Sequence, residues 1–417
     1  MVARELYEGA YEATLDNGLR ILVEEVPQSR SVSVGVWVRA GSRDDSPGLS
    51  GIAHLIEHLA FKGTSQRDAD AISREIDAVG GHLNAATGKE STFYYADVPA
   101  EGLATAVDVL ADLVLRPRFD AAQIELERNV VLEEIRGHLD DPEQAAYDLF
   151  AHGLWNDGHP LSQSVLGNKE AIAGASRQQI AAHHARYYRP ENAALVACGA
   201  VEASVVVKQA ESLFTSDTSG MGAPAQRFVP ALRPDRFHHD RPTGQTHVYF
   251  GLAGPDSSDD DRFPLEVVNS VLGDGPSSRL FRSIREDRGL AYAIASNVTC
   301  YSDCGLWLTY AGVAPETAAH VIDLVSAEFK RLRTEPIPVD ELELAKSKLR
   351  GHLILGLETN GNRAARLATA AMHRREILSP DDLFARLDRV SQEEANRVVE
   401  RYLQPDAMNL TLVGPAA

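Results

Sequence analysis

Residues 31–39, SVSVGVWVR, set an apolar side chain at every second position, and residues 246–254, THVYFGLAG, repeat that pattern. Successive side chains of an extended chain point to opposite faces, so both segments are predicted strands. Each runs into a polar, aspartate-rich turn, GSRDDSPGLS in one case and PDSSDDDRFP in the other. An apolar helical stretch follows each turn, GIAHLIEHLAF and LEVVNSVLG respectively. Laying Ala40-Gly41 on Ala253-Gly254 gives an offset of 253 − 40 = 213, close to half the length of the chain. An internal duplication is therefore expected.

Further along, ESTFYYADV and NAALVACGAV read as strands and AAQIELERNVVLEEIRGHL as a long helix. Strands and helices mix in each half without strict βα alternation, which predicts the α+β class. Residues 215–234, TSDTSGMGAPAQRFVPALRP, carry no period and are rich in Ser, Gly, Ala and Pro. Such a stretch suits a linker. The expected organisation is a first domain over 1–220, a linker over 221–234 and a homologous second domain over 235–417. The segment GDGPSS near Gly273 lacks the lysine and the spacing of a phosphate loop.

Composition narrows the class. The length exceeds one ordinary core, and 44% apolar with 24% charged residues is normal for a globular protein. The formal net charge of −19 repels phosphate polyanions and anionic lipid, so neither nucleic acid nor membrane is an expected partner. Cys198, Cys300 and Cys304 are too few for a disulfide framework and form no paired CxxC, which suits a reducing compartment. The opening segment, MVARELYEGAYEATLDNGLRILVEEV, lacks a basic stretch followed by an apolar one, and no apolar run is long enough to span a bilayer. A cytoplasmic protein is the expectation.

Within the first helical stretch, His54, Glu57 and His58 fall at about 0, 300 and 40 degrees of a helical wheel, on one face. Two imidazoles one turn apart can grip one ion, and neutral imidazole suits zinc. Glu57 is placed to take a proton from a water at the metal rather than to bind it. The order His-x-x-Glu-His is the inverzincin signature, the reverse of the commoner zincin order. At the same offset the equivalent positions hold Val267, Ser270 and Val271, so only the first half can be the metal domain. A catalytic site of this kind needs a third protein ligand and an open position.

The segment HLIEHLAFKGT, with the later ELERNVVLEEIRGHLDDP, resembles the pitrilysin and insulinase family of zinc peptidases, especially the subgroup around the mitochondrial processing peptidase. The resemblance implies a third ligand at Glu134, because the family places a glutamate as far beyond the second histidine as Glu134 stands beyond His58, 134 − 58 = 76. It implies one Zn2+ per chain and a supporting role for Glu127, orienting His54 or His58. Glu127 and Glu134, seven positions apart, fall within about 20 degrees of one helix face, whereas Glu133 points about 100 degrees away. The segment GGHLNAATGKESTFYY resembles the edge strand on which the family lays its substrate, with Asn84 and Ala85 near the cleaved bond. In the second half, SSRLFRSIREDRGLAYAIAS resembles the segment whose arginine and tyrosine contact substrate, here Arg285 and Tyr292. The segments GHPLSQSVLG and YYRPENAALVACG extend the resemblance over nearly the whole chain.

The fold so implied is two homologous α+β domains, each a mostly antiparallel sheet flanked by helices. Chains of this size in the family pair around a chamber, so a homodimer with Arg285 and Tyr292 acting in trans is expected. The activity implied is endopeptidase cleavage of oligopeptides or unfolded, presequence-like segments, with basic peptides favoured by the acidic charge. A non-catalytic peptide-binding or assembly subunit is the competing expectation, and a zinc hydrolase acting on another bond is a third. His82, His138, His183, His184, His238 and His239 are expected to be structural or exposed rather than ligands.

Overall fold

The structure is a computed structural model that describes residues 3–155, 158–215, 227–373 and 376–415. Residues 221–226 of the expected linker lie outside the described residues. Twelve strands are described: β1 (Arg4–Tyr7), β2 (Ala10–Thr14), β3 (Arg20–Glu25), β4 (Ser31–Val38), β5 (His82–Thr87), β6 (Thr92–Pro99), β7 (Ala193–Gly199), β8 (Arg236–His239), β9 (Thr246–Gly254), β10 (Ala291–Cys300), β11 (Gly305–Val313) and β12 (Asn409–Val413). They form a seven-stranded sheet in the order β1-β2-β3-β7-β4-β6-β5 and a five-stranded sheet in the order β10-β11-β9-β12-β8. Among the described residues, only β3–β7 and β8–β12 pair in parallel. Two mostly antiparallel sheets flanked by helices is the fold class that the sequence predicts.

The register of the duplication holds from element to element. Adding 213 carries β5 (82–87) to 295–300, inside β10, and β6 (92–99) to 305–312, inside β11. The helix Ile52–Ala60 maps to 265–273, on Arg262–Leu272, and Ala121–Asp140 maps to 334–353, largely on Val339–Gly356. The duplication is thus one of structure.

The compact units divide the chain differently from the two halves. One unit is Met1–Gly137, Gln163–Arg227 and Gly356–Ser379; the other is His138–Ser162, Phe228–Leu355 and Pro380–Ala417. The halves have exchanged equivalent helices. Pro142–Leu154 maps by the offset to 355–367, overlapping Asn360–His373, and each of these two helices packs on the sheet of the other copy. In the first unit Ala364, Leu367, Ala368 and Ala371 pack against Leu22, Trp37, Ala194, Val196 and Cys198. In the second, Ala146, Phe150 and Leu154 pack against Tyr249, Leu306 and Val413.

The exchange explains the burial of β4. Alternation usually marks a strand with one solvated face. Here Val32, Val34, Val36 and Val38 join the main core of the first unit, while Trp37 lies under the exchanged helix on the other face. Gly35 sits between them without a side chain because a Cβ there would come within 2.7 Å of the Trp37 ring and 2.8 Å of the Tyr94 carbonyl oxygen.

Candidate metal centre

The helix Ile52–Ala60 begins where Gly51 takes φ 93, a left-handed conformation that glycine adopts without steric cost. A Cβ at Gly51 would lie 2.4 Å from the Leu166 carbonyl oxygen. The Asp45 carboxylate receives the Gly51 and Ala53 amides at 2.6 and 3.1 Å, satisfying donors that the first turn leaves open. Ile52, Leu55, Ile56 and Leu59 face the core and fix the helix rotation. His54 and His58 are thereby turned towards the helix Ala121–Asp140, and Glu57 towards Thr87.

That second helix buries a narrow stripe of Ile124, Glu127, Val131 and Ile135. Glu134 stands beside the stripe, its side chain 42% exposed, with one carboxylate oxygen 3.8 Å from His54 Nε2 and 3.5 Å from His58 Nε2. The two imidazole rings meet edge to face, 4.7 Å between centroids. One ligand atom from each of His54, His58 and Glu134 lies within 4.8 Å of the others, and no second such group occurs among the described residues. Ligand atoms at about 2.0–2.2 Å from a tetrahedral zinc stand about 3.4 Å apart, so these distances fit the ion. The donor set of two imidazoles and one carboxylate fits it too, and leaves one position open. Burial, then the neighbouring His58, lowers the His54 pKa to about 4 and keeps that ring neutral, the form that ligates.

Glu127 is 5% exposed. One of its oxygens lies 3.2 Å from His58 Nδ1 and the other accepts from Lys62 Nζ at 2.9 Å. The resemblance left open which histidine it serves; the geometry assigns it to His58, whose Nε2 it turns towards Glu134. Glu133, the adjacent carboxylate, pairs instead with Arg136. Glu57 is half-buried and accepts from the Thr87 hydroxyl at 2.5 Å. Burial raises its pKa, opposed by the Thr87 hydrogen bond, which suits a carboxylate that must take up a proton.

Thr87 closes β5, the outermost strand of its sheet, so the Glu57–Thr87 bond ties the metal helix to that edge. Asn84 and Ala85 lie on the same strand, paired on its inner side with Tyr95 and Tyr94, and the Asn84 amide oxygen accepts from the Ala85 backbone N–H. Arg285 and Tyr292 lie in the other unit. Arg285 is exposed, with its guanidinium over the Phe281 ring at 4.8 Å. Tyr292 is 76% exposed and sits at a bulge of β10, between the register pairs Ala291–Val313 and Ala293–Gly312. A bulge re-aims the side chain it carries.

Sequence reasoning passed over Thr87, Lys62 and Asp45. Lys62 stands one helical turn beyond His58 and could have been found as a counter-charge for Glu127. Thr87 had no local signal, since its partner Glu57 is fixed only by packing, whereas Asp45 stands in the aspartate-rich turn just before the helix whose amides it accepts. Three of the histidines set aside as non-ligands are engaged elsewhere: His138 bonds Gln144 and Asp148, His184 the Val114 carbonyl, and His238 the Gly414 carbonyl.

Residues 20–169 match the family described as insulinase (peptidase family M16), and residues 174–349 match the peptidase M16 inactive domain. An uncharacterized zinc protease of Mycobacterium leprae is 38% identical over 413 residues, covering 98% of this chain and 92% of that protein. One from Bacillus subtilis is 32% identical over 404 residues, covering 97% and 98%. In fold, the chain is similar to a protease from Helicobacter pylori, with a TM-score of 0.89 at 24% identity, covering 97% of this chain and 99% of that one. A peptidase M16 inactive domain from Pseudomonas fluorescens gives a TM-score of 0.91 at 21% identity, covering 98% of each chain.

Proposed function

Because the chain belongs to the insulinase family, peptidase family M16, we propose that it is a zinc-dependent endopeptidase cleaving extended oligopeptides or unfolded, presequence-like segments. The convergence of His54, His58 and Glu134 beside Glu57 carries this reading. A competing role as a non-catalytic subunit would require no such complete set of ligands and base. The ion, one per chain, would be held by those three side chains. When bound, zinc polarises a carbonyl and acidifies a water.

Glu57 removes a proton from the attacking water and returns it to the departing amine; its raised pKa makes it a better proton acceptor than an ordinary surface glutamate. Thr87 holds one Glu57 oxygen and so fixes the orientation of the carboxylate. The unpaired side of β5 accepts a peptide as an added strand, so Asn84 and Ala85 meet the residues near the scissile bond. Backbone pairing of this kind is largely indifferent to side chains, which suits unfolded segments.

Arg285 and Tyr292 supply donors to the substrate from a partner copy, in a homodimer that encloses the peptide. Their exposure on a single chain is consistent with that role. Basic peptides are the preferred class, given the net charge of −19. A pocket of about 580 Å³ in the second unit supports the preference: Tyr147, Tyr249 and Tyr310 line it with Asp141 and Glu143, and no lysine or arginine does. Aromatic faces with an acidic rim favour a cationic side chain. No helix among the described residues is long and apolar enough to cross a membrane. The small number of cysteines, Cys198, Cys300 and Cys304 with no paired CxxC, supports a cytoplasmic location.

The test mixes two disabled proteins. Glu57→Gln and Tyr292→Phe chains are refolded together and assayed on a quenched peptide library. Mixed dimers contain one site with both groups intact, so activity returns above either parent. Mixtures that never exceed the parents would overturn the in-trans arrangement. A purified protein that holds no zinc and cleaves no peptide would overturn the enzyme reading itself.

A further inference from the structure

We propose that the second unit holds a binding site of its own, for a short zwitterion such as a free amino acid or a dipeptide, at the positions equivalent to Glu57, His58 and Glu127 of the first unit. Binding at this site does not depend on the peptidase reading. Adding 213 carries Glu57 to Ser270, His58 to Val271 and Glu127 to Asp340. All three counterparts line a pocket of about 410 Å³, within the size range of small-molecule sites. Around these three positions the second copy has a cleft rather than a filled core.

The walls of this cleft are polar and balanced in charge. Four basic and four acidic residues line it. Arg279 is bound to Glu328 at 2.8 Å and Glu341 at 2.7 Å, and Lys348 to Asp274 at 2.8 Å, so these groups set the shape and are already matched. Arg282, Asp287 and Asp340 make no side-chain hydrogen bond or ion pair among the described residues. On the floor, Ser270 is 4% exposed and its hydroxyl has no hydrogen-bond partner among the described residues. A buried hydroxyl in that state favours any ligand that can bond to it.

Polyanions would meet the acidic side chains and polycations the basic ones. A molecule with one ammonium and one carboxylate close together matches both: Arg282 holds the carboxylate, and Asp340 or Asp287 the ammonium. The backbone beside the pocket points the same way. Residues Phe281–Glu286 form a π-helical turn, in which the Asp287 amide donates to the Arg282 carbonyl at 2.9 Å. The equivalent residues of the first copy, 68–73, lie in the capped start of the ordinary helix Ala69–Ala78. Such widened turns concentrate at functional sites, and this one carries Arg282 and Ser283 into the lining.

Titration calorimetry of the full, zinc-loaded chain with alanyl-alanine tests the site, alongside the N-acetylated dipeptide and its C-terminal amide. Saturable binding of the zwitterion is expected, at least about tenfold weaker for either capped form, since each loses one charge-assisted contact. Arg282→Gln and Asp340→Asn, both surface-rim changes, should weaken it by a similar factor. Binding should persist in His58→Ala. No saturable binding, equal affinity for the capped dipeptides, indifference to both rim substitutions, or loss in His58→Ala, which would place the ligand at the metal centre, would each overturn the proposal.

Discussion

Glu127 and Glu134 are separated by two turns of one helix and do different work because their depths differ. Glu127 is buried, with Lys62 and His58 sharing its charge, whereas Glu134 is 42% exposed and reaches both imidazoles. A buried carboxylate is tolerated only when its oxygens are matched, and here both are. Glu127→Gln keeps the shape but removes the charge that orients His58. Zinc affinity, measured by chelator competition, should fall by about 10–100-fold. Glu57→Gln should retain zinc at nearly wild-type affinity and lose peptidase turnover, separating base from ligands. Unchanged zinc affinity in Glu127→Gln would show that His58 needs no such partner. Of these residues, His54, Glu57 and His58 were legible from helical spacing. The role of Glu134 came from the resemblance, and only the geometry gave Glu127 to His58.

Among the elements, the helix Asn360–His373 is the least legible. Its alanine-rich face predicts burial, but nothing local says that it covers β4 and β7, which belong to the first half of the chain. Buried polar bonds hold it there. Arg366 donates to Glu24 at 2.8 Å, Arg363 pairs with the other Glu24 oxygen, and the Tyr7 hydroxyl also donates to Glu24 at 2.9 Å. Burial alone would raise the Glu24 pKa, yet Arg366, Arg363 and Tyr7 outweigh it and hold the carboxyl below its ordinary range. Arg366→Ala leaves that carboxylate partly uncompensated and should cost roughly 3–5 kcal/mol of stability, read from urea unfolding. A loss below about 1 kcal/mol would mean that the apolar face of the helix suffices to hold it.

At the scale of the whole molecule, acid stability should depend on His183 and His184, which are not among the candidate metal ligands. Burial lowers His183 to about 3 and His184 to about 4, although the Val114 carbonyl pulls His184 upward. Both folded values lie below the unfolded value of about 6.5, so the unfolded chain binds more protons in this range. Their contribution is complete above about pH 6.5 and is lost as pH falls towards 4. Each removes about 1.4 kcal/mol per pH unit within that window. The His183 Nε2 has no hydrogen-bond partner among the described residues, so His183→Leu should cost little at pH 7.5 while lowering the slope of stability against pH between 6 and 5. Parallel curves for the two proteins would rule out His183 as a source of the slope.

The register of the duplication, the strands on either side of it, the metal helix and the absence of ligands from the second copy were all readable along the chain. Each depends on periodicity or on spacing within a helix, which local backbone geometry dictates. The tertiary structure alone decided the rest: the exchange of equivalent helices between the copies, the partners of Glu57 and Glu127, and the polar cleft around Ser270. These depend on which distant surfaces bury one another. Helical and strand periods specify which face must be covered and leave open what covers it.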